Sequence, residues 1–414
     1  MLHALRGVRV LDMTRILAGP YATMLLADLG AEVIKIERPE SGDEMRAMGP
    51  HFRAGESVYF MAVNRGKKSV CVDMSTEAGR AVIHDLAKVC DVAIENFRPG
   101  VADRLGVGWE ALRAVNPRLI MCGMTAFGRT GPDRDLPAFD LTLQARGGTM
   151  GITGEAGRLP VRMGPPMGDL AGGLYAALAI ASALYERTRT GVGQYIDLAL
   201  LDCQASLLVY AAAFWLTAGD VLGPQGSAHA HAFPYQAFET ADEPIVVAVF
   251  TDRFWAPFCT AIDEPAWERD PNYATHAQRR AASEMLLPAI TAKLRTRTAS
   301  EWLTALERAE VPCAPVNRVD GVFTDRQLMA RAMIAEMDHP LAGTVRAAGN
   351  PMKMGEESEW QNELHAPAPL LGADTERVLR DVLGYDDARI AALTLARGVP
   401  DSERGTLTPP LPKP

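Results

Sequence analysis

Apolar runs with strand character alternate with amphipathic segments through the first third of the chain, and Gly or Pro separates them. We predict strands at Val8–Met13, Ala31–Glu37, Ser69–Met74, Val92–Asn96 and Leu119–Thr125. Helices are predicted between them at Pro20–Leu29, Thr76–Val89 and Val101–Val115. Strands that alternate with helices indicate βαβ units and a mostly parallel sheet. Ligands of such a sheet bind beyond the carboxyl ends of its strands.

A different pattern follows at Leu170–Tyr185, which is apolar or small on every side. A helix of that composition belongs in a core, and its 16 residues are fewer than the roughly 20 that a membrane span needs. Asp169 stands at the start of this helix, where free backbone N–H groups and the helix dipole favour an anion. With an ordinary pKa of about 3.9, this carboxyl would be ionised at pH 7.

Two interpretations of Asp169 follow from these residues. Asp is among the best helix N-caps, and a cap is the commoner role. The alternative is a reactive carboxylate, because Gly164, Gly168, Gly172 and Gly173 surround it. Each Gly inside a helix costs about 1 kcal/mol relative to Ala. That cost has a reason where another backbone or a ligand approaches closely.

The second half of the chain predicts a smaller domain. Tyr195–Leu201 is a predicted strand, and Tyr235–Thr240 with Pro244–Phe250 is a predicted hairpin. The loop Gly223–His231 consists mostly of small residues and is the predicted boundary. We therefore expect an α/β protein with a large domain over 1–221, a smaller α+β domain over 222–325 and a return to the large domain over 326–414. Within the return, 401–414 is polar and Pro-rich, which predicts disorder.

Composition narrows the class of ligand. A net charge of −9 over 414 residues argues against nucleic acid and against an anionic membrane as partners. The six Cys show no C-x-x-C spacing, so neither a disulfide framework nor a metal site is indicated. The amino-terminal residues do not have the pattern of a secretory signal, and we expect a cytoplasmic protein.

The first βαβ unit raises the question of a dinucleotide, since Glu37 ends the second predicted strand. The loop TRILAGPY has one glycine in place of G-x-G-x-x-G, so we reject NAD. Basic residues cluster instead near the predicted strand ends and suit a ligand with several phosphates, because Arg forks match phosphate geometry. They are Arg15, Arg38, Arg46, Arg65, Lys67, Lys68, Arg98 and Arg104.

At this point the motifs match a known family. The chain carries RVLDMTRILAGPYATMLLADLGAEVIKIERPESGD, NRGKKSV, ENFRPGVADRLGV, GMTAFGRTGP, FDLTLQARGG, MGDLAGG, RTGVGQYIDLALLD, PYQAFET, VPCAPV and APLLGADTERVL, in that order. In these motifs it resembles the class III coenzyme A transferases along nearly its whole length. The resemblance implies a Rossmann-like large domain, an interlocked homodimer, an acyl-CoA and a small carboxylic acid as substrates, and no permanently bound cofactor.

The resemblance also implies roles for individual residues. Asp169 in MGDLAGG would be the nucleophile, reacting through an aspartyl anhydride and an aspartyl-CoA thioester, with glycine N–H groups stabilising the oxyanions. Contacts to coenzyme A would come from Leu17, Ala18, Arg38, Val72, Asp73, Asn96, Phe97, Arg98 and Arg104.

The segment GSAHAHAFPYQAFET is similar to the dicarboxylate branch of the family, which implies succinyl-CoA as donor and a short diacid such as glutarate as acceptor. A second carboxylate on the substrate would need a cation or several donors around it. The predicted substrate-binding residues are Arg15, Arg46, Asp140, His229 and Tyr235.

Two alternatives stay open on the sequence. An α-methylacyl-CoA racemase would resemble the same motifs, but Phe139 stands where that branch has a His, so the acid–base pair is incomplete. A non-catalytic CoA-binding homologue is the other alternative, and the intact Asp169 argues against it. The role of the altered Gly-rich loop at Val247–Trp255 is also open.

Overall fold

The computed structural model of the chain describes residues 4–358 and 366–400, so the predicted disordered segment 401–414 lies outside the described residues. The chain divides into two compact units. The first contains Met1–Thr149, Met163–Leu208 and Arg326–Pro414, and the second contains Met150–Arg162 and Val209–Asp325. The second unit therefore begins before the boundary predicted at residue 222, and it includes a short segment that we had placed in the large domain.

A six-stranded parallel sheet organises the first unit, in agreement with the predicted α/β class. Its strands lie in the order β5-β2-β1-β6-β7-β8, where β3 and β4 form a separate short hairpin. The strands of this unit up to residue 208 are β1 Arg9–Asp12, β2 Glu32–Glu37, β3 Phe52–Arg53, β4 Glu56–Ser57, β5 Lys67–Cys71, β6 Val92–Glu95, β7 Ile120–Thr125 and β8 Tyr195–Ala199. The chain extends the sheet from β1 to one side, then crosses to the other side of β1 with β6. That is the doubly wound order, and its crevice opens between β1 and β6.

Helices cover the sheet of the first unit. They are α1 Ala18–Asp28, α2 Val58–Val63, α3 Glu77–Val89, α4 Val101–Arg104, α5 Trp109–Val115, α6 Asp140–Arg146, α7 Met167–Thr190 and α8 Leu200–Ser206, with a 3₁₀ helix at Glu44–Ala47. The amphipathic α3 buries Val82, Ile83 and Leu86 against the sheet, as its spacing predicted. A Thr76 side chain caps this helix by accepting from Gly79 N–H.

Helix α7 differs from its prediction in two ways. It has 24 residues, so the argument that it is too short to cross a membrane is wrong. It is also not buried all round within one chain. Ala176 and Ile180 pack with α1 and the sheet, which is the position of a core helix. Leu174 and Leu178 on the opposite side are 51% and 62% exposed.

The second unit has its own sheet and core. Its strands β9 Tyr235–Phe238, β10 Ile245–Ala248 and β11 Cys313–Pro315 form an antiparallel sheet in the order β11-β10-β9. The predicted hairpin is therefore present, with Ile245 opposite Phe238. The helices are α9 Val209–Ala213, α10 Trp255–Ala261, α11 Pro265–Arg269, α12 His276–Ala281, α13 Ser283–Leu294, α14 Ala299–Arg308 and α15 Val319–Val322, with a π-helix at Phe214–Ala218 and 3₁₀ turns at Met150–Ile152, Asp252–Phe254 and Pro271–Tyr273.

The return to the first unit contains a hairpin that the sequence analysis missed. It consists of β12 Ile334–His339 and β13 Gly343–Ala348, preceded by α16 Arg326–Ala330. Two helices follow further on, α17 Thr375–Asp381 and α18 Asp387–Leu395. Helix α17 closes the core over β5, because Cys71 N–H donates to Thr375 Oγ1 at 3.0 Å.

Candidate functional site

The crevice between β1 and β6 is formed by two turns that are bonded to each other. Asn96, directly after β6, accepts from Arg15 N–H at 2.9 Å and donates its amide to the Arg15 carbonyl at 2.8 Å. Asn96 was predicted to contact coenzyme A. In the structure both polar ends of its side chain are instead engaged in joining the two turns.

Basic and aromatic side chains collect on this pair of turns. The Arg15 guanidinium lies 5.0 Å above the centre of the Phe97 ring. Glu44 is shared by Arg15 at 2.9 Å and Arg38 at 3.6 Å. The structure thus brings together four of the residues that the sequence selected, namely Arg15, Arg38, Asn96 and Phe97.

Of three further predicted cations, two are exposed and one is buried. Arg98 and Arg104 are exposed, and neither has an acidic partner within 4.0 Å among the described residues. They are available to phosphates. Arg46 is not, because it is 2% exposed and donates from Nε and Nη2 to Glu37 at 2.7 Å each. Its guanidinium also lies 3.8 Å from the Phe60 ring centre. The prediction that Arg46 binds a substrate carboxylate does not fit this buried ion pair.

The apolar members of the predicted CoA set are mostly core residues. Leu17 and Ala18 are each 5% exposed at the start of α1, and the Val72 side chain is completely buried beside Val70. Asp73 accepts from the backbone and the hydroxyl of Ser75, so it organises its own turn. Any contact of Val72 with a ligand has to come from its backbone.

A shallow pocket lies beyond β6 and β7, with Arg98 and Glu95 among its lining residues. Glu95 accepts from Phe97 N–H at 2.7 Å. Burial raises the pKa of Glu95 to about 7, against the lowering effect of that N–H and of Arg129. The sequence analysis did not select Glu95, because a Glu at the end of a β-rich run gives no signal of its burial.

The start of α7 shows which interpretation of Asp169 the geometry favours. Asp169 is the third residue of the helix, and Pro166 occupies the N-cap position without a side-chain bond. The capping carboxylate comes from elsewhere, since Asp140 Oδ1 accepts from Gly168 N–H at 2.7 Å. Asp140 Oδ2 accepts from the Gln144 amide at 2.7 Å. Asp169 is therefore not the cap. Asp140, predicted to bind substrate, has one oxygen engaged as the cap and the other bonded to Gln144.

Asp169 has an unusual electrostatic environment. Burial raises its pKa to about 6, and the nearby negative charge of Asp140 adds to the effect. The expectation of an ordinary carboxyl pKa is thus wrong, although Asp169 still ionises just below pH 7. Tyr59 on α2 shares the site, because its own raised pKa results from burial and from Asp169 and Asp140. Tyr59 carries no motif that would have selected it.

Close packing explains two of the four glycines around Asp169. A Cβ on Gly173 would lie 2.9 Å from the Ala18 carbonyl oxygen, and one on Gly172 would lie 2.2 Å from Leu200 Cδ2. Gly173 is one turn beyond Asp169 on the same face of α7, so this contact places Asp169 at the end of α1 that carries Ala18. The Gly168 N–H is already taken by Asp140. Gly168 N–H is therefore not available to the oxyanion hole that the glycine N–H groups were expected to form.

The two remaining predicted residues lie together in the second unit. The His229 and Tyr235 rings are stacked, with centres 5.1 Å apart and an angle of 6° between their planes. His229 Nδ1 accepts from the N–H groups of His231 and Ala232, so its Nε2 is the ring atom left for a ligand. Burial lowers the pKa of His229, and the charges of His231 and Arg280 lower it further.

Comparison with known proteins now identifies the family. The profile described as CoA-transferase family III matches residues 5–375. The chain belongs to this family. It is 39% identical over 397 residues to the succinyl-CoA:glutarate CoA-transferase of Homo sapiens, covering 96% of this chain and 90% of that protein. It is 40% identical over 392 residues to the succinyl-CoA:mesaconate CoA-transferase of Haloarcula marismortui, covering 92% and 97%.

A solved structure agrees with the sequence relatives. A CAIB/BAIF family protein from Brucella suis matches with a TM-score of 0.82 at 35% identity, covering 92% of this chain and 100% of that one. The resemblance seen in the motifs is therefore confirmed, and the chain is a CoA transferase enzyme. Among the residues described, no group of three or more His, Cys, Asp or Glu could hold a metal ion.

Proposed function

We propose that this CoA transferase moves coenzyme A from succinyl-CoA to a short dicarboxylate such as glutarate, with Asp169 as the nucleophile. The observation that carries the proposal is the environment of Asp169, a half-buried carboxylate with a pKa of about 6 that does not cap its helix and pairs with no cation among the described residues. A carboxylate of raised pKa holds its electron pair less tightly than an ordinary one, yet is ionised at neutral pH.

The chemistry then proceeds at one side chain. An Asp169 oxygen attacks the thioester carbonyl, the C–S bond breaks, and coenzyme A leaves as a thiolate while a mixed anhydride forms. The thiolate attacks the Asp169 carbonyl of that anhydride, which releases succinate and leaves an aspartyl-CoA thioester. The acceptor carboxylate repeats these steps in reverse. Each hard displacement is thereby divided into easier ones.

The crevice turns suit the coenzyme A end of the substrate. Arg98 and Arg104 are exposed cations beyond β6, and Arg38 is 56% exposed in its side chain. Guanidinium groups match phosphate oxygens in geometry and charge. With the Asp169 end of α7 packed against the start of α1, a thioester bound along these turns would reach the nucleophile.

The dicarboxylate assignment rests on the named relatives and on available polar groups. Both sequence relatives are named for a succinyl-CoA donor. Arg15 is the crevice cation that we assign to the distal carboxylate. A site that pairs the distal carboxylate discriminates strongly against a monoacid, which leaves the cation unpaired.

Two measurements test this proposal. Incubation with succinyl-CoA and no acceptor should leave coenzyme A on the peptide that contains Asp169, and mass spectrometry would detect it. With succinyl-CoA as donor, glutarate should be used about a hundredfold more efficiently than valerate. Equal use of both acids would overturn the dicarboxylate assignment, and a modified peptide without Asp169 would overturn the nucleophile.

We also propose an interlocked homodimer. The first unit is discontinuous in sequence, and α7 leaves Leu174, Leu178 and Tyr185 at 51%, 62% and 69% exposure. An apolar face of that kind on a core helix is expected to be covered by a second chain. Threaded chains cannot separate without unfolding. A folded, active monomer in native mass spectrometry at nanomolar concentration would contradict the proposal.

A further inference from the structure

The turn between β1 and α1 contains a residue in an unfavourable backbone conformation. Ile16 has φ +67°, in the left-handed region that a β-branched side chain rarely adopts. The residue directly follows Arg15, which the proposed function uses. Strain of this kind persists only where the surrounding structure holds it.

A buried carboxylate holds this turn from beneath. Asp43 Oδ1 accepts from Ile16 N–H at 3.1 Å, and Asp43 Oδ2 accepts from Lys35 Nζ at 2.9 Å. Lys35 Nζ also donates to the Thr14 carbonyl at 2.8 Å. Asp43 and Lys35 are 1% and 0% exposed. The pair therefore fastens the turn at two backbone atoms, one on each side of Arg15.

We propose that Asp43 is a positioning residue for coenzyme A, which holds the Thr14–Leu17 turn in the strained conformation that places Arg15 over Phe97 in the crevice. This inference rests on the proposed CoA-binding role of that turn. A buried ion pair is weak evidence for stability, since its desolvation offsets much of the attraction. Because the pair bonds to the backbone of Thr14 and Ile16, it also fixes the conformation of the turn.

The turn is held from the other side as well. Asn96 bonds reciprocally with the Arg15 backbone, and Asp12 accepts from Thr14 N–H at 2.9 Å. Polar bonds thus reach Thr14, Arg15 and Ile16, although only Ile16 is in the left-handed region. If the bond to Asp43 were lost, relaxation of Ile16 would be the expected first change, and it would move the neighbouring Leu17.

The test is a double-mutant cycle on the full-length protein, with coenzyme A as the probe in titration calorimetry. The bonds of Asp43 to Ile16 N–H and to Lys35 form a clamp on the turn. Asp43→Asn keeps the shape of the side chain but weakens this clamp, so the Kd for coenzyme A should rise roughly tenfold. Glycine adopts the left-handed region without strain. In an Ile16→Gly background the same Asp43→Asn change should therefore raise Kd by about threefold or less. A purely structural Asp43 would raise Kd equally in both backgrounds, which would overturn the proposal.

Asp28→Asn is the matched control, because Asp28 forms an equally buried ion pair with Arg65 at the far end of α1. It should lower Tm without changing Kd. If Asp43→Asn does not fold, hydrogen exchange of the wild-type Ile16 amide decides the matter, since the clamp requires slow exchange and fast exchange would overturn it. If the wild-type protein bound no coenzyme A, the proposed function would be wrong. The exchange rate of the Ile16 amide would still test whether Asp43 holds the turn.

Discussion

Glu37 and Asp169 are two carboxylates of the same unit, and burial acts on both in the same direction. Burial would raise the pKa of Glu37, but the charge and hydrogen bonds of Arg46 outweigh it and lower that pKa to about 2. Burial raises the pKa of Asp169 to about 6, and the charge of Asp140 adds to the effect. The two pKa values move in opposite directions because Glu37 has a cation as its partner, whereas the charged neighbour of Asp169 is another carboxylate.

The two environments serve different ends. Glu37 also accepts from Asp43 N–H and from Ser69 Oγ, so its charge is consumed in joining β2, β5 and the loop between them. Asp169 forms no ion pair within the part of the chain that the structure describes, and it is partly exposed to solvent. A carboxylate in the first arrangement supports the fold, and one in the second is free to react.

The largest expected effect separates the two residues by activity. Asp169→Asn should reduce transfer by at least a thousandfold, because an amide oxygen cannot form the anhydride. Binding of coenzyme A should persist. The measurement is single-turnover transfer from succinyl-CoA, with calorimetric binding as the control. Transfer within tenfold of wild type would show that Asp169 is not the nucleophile.

The second effect concerns stability. Glu37→Gln removes the partner that binds buried Arg46 through two hydrogen bonds and leaves the longer contact with Glu56 at 3.6 Å. The substitution should lower the free energy of unfolding by about 3–5 kcal/mol. The control is Glu336→Gln, which breaks a Glu336–Arg346 pair whose side chains are 56% and 71% exposed, and should cost under about 1 kcal/mol. Urea unfolding measures both. Similar losses of unfolding free energy for the two variants would show that the Glu37 charge does not support the fold more than an exposed charge does.

The sequence predicted most of the fold and only part of this contrast. The βαβ alternation was sufficient for the parallel sheet, since each strand lies within three residues of its predicted bounds. Strand β12 was missed although buried Ala335 and Met337 alternate with exposed Glu336 and Asp338, which is a strand signal. The Glu37–Arg46 pair could not be predicted, because nothing local distinguishes these two charges from solvated ones.

The capping of α7 shows the same limit over a longer distance. Asp140 lies 28 residues before Gly168, whose N–H it accepts. Sequence reasoning therefore considered Asp169 itself as the cap, since only local caps are visible in a sequence. The motif was sufficient to select Asp169. Its raised pKa depends on Asp140 and on burial, and both required the structure.

A third prediction concerns pH. Since the pKa of Asp169 is about 6, kcat/KM for the acyl-CoA should fall about tenfold per pH unit below that value. Asp140→Asn should move this limb to lower pH, because it removes a like charge while an Asn oxygen still caps Gly168. Stopped-flow assays from pH 4.5 to 8 would test it. A limb that stays in place would assign the raised pKa to burial alone.

The smallest expected effect is a gain in stability from losing the Asp169 carboxylate. The pKa of Asp169 is raised in the folded state, from 3.8 to about 6, so the folded protein holds this proton more tightly than the unfolded chain does. Its contribution to stability is therefore full below pH 3.8 and is lost as pH rises toward 6. Asp169→Asn has no carboxyl to ionise, so the variant does not lose this stability as pH rises.

The variant should consequently have a higher Tm than wild type at pH 7, by about 1–2 °C for a chain of this size, and the difference should shrink toward pH 4. Glu37→Gln should show the opposite sign, since a carboxyl with a lowered pKa stabilises the fold at neutral pH and loses that effect in acid. Scanning calorimetry from pH 4 to 7 compares the two variants directly. If Asp169→Asn instead lowered Tm at pH 7, the charge of Asp169 would have an attractive partner, and the contrast with Glu37 would be one of degree only.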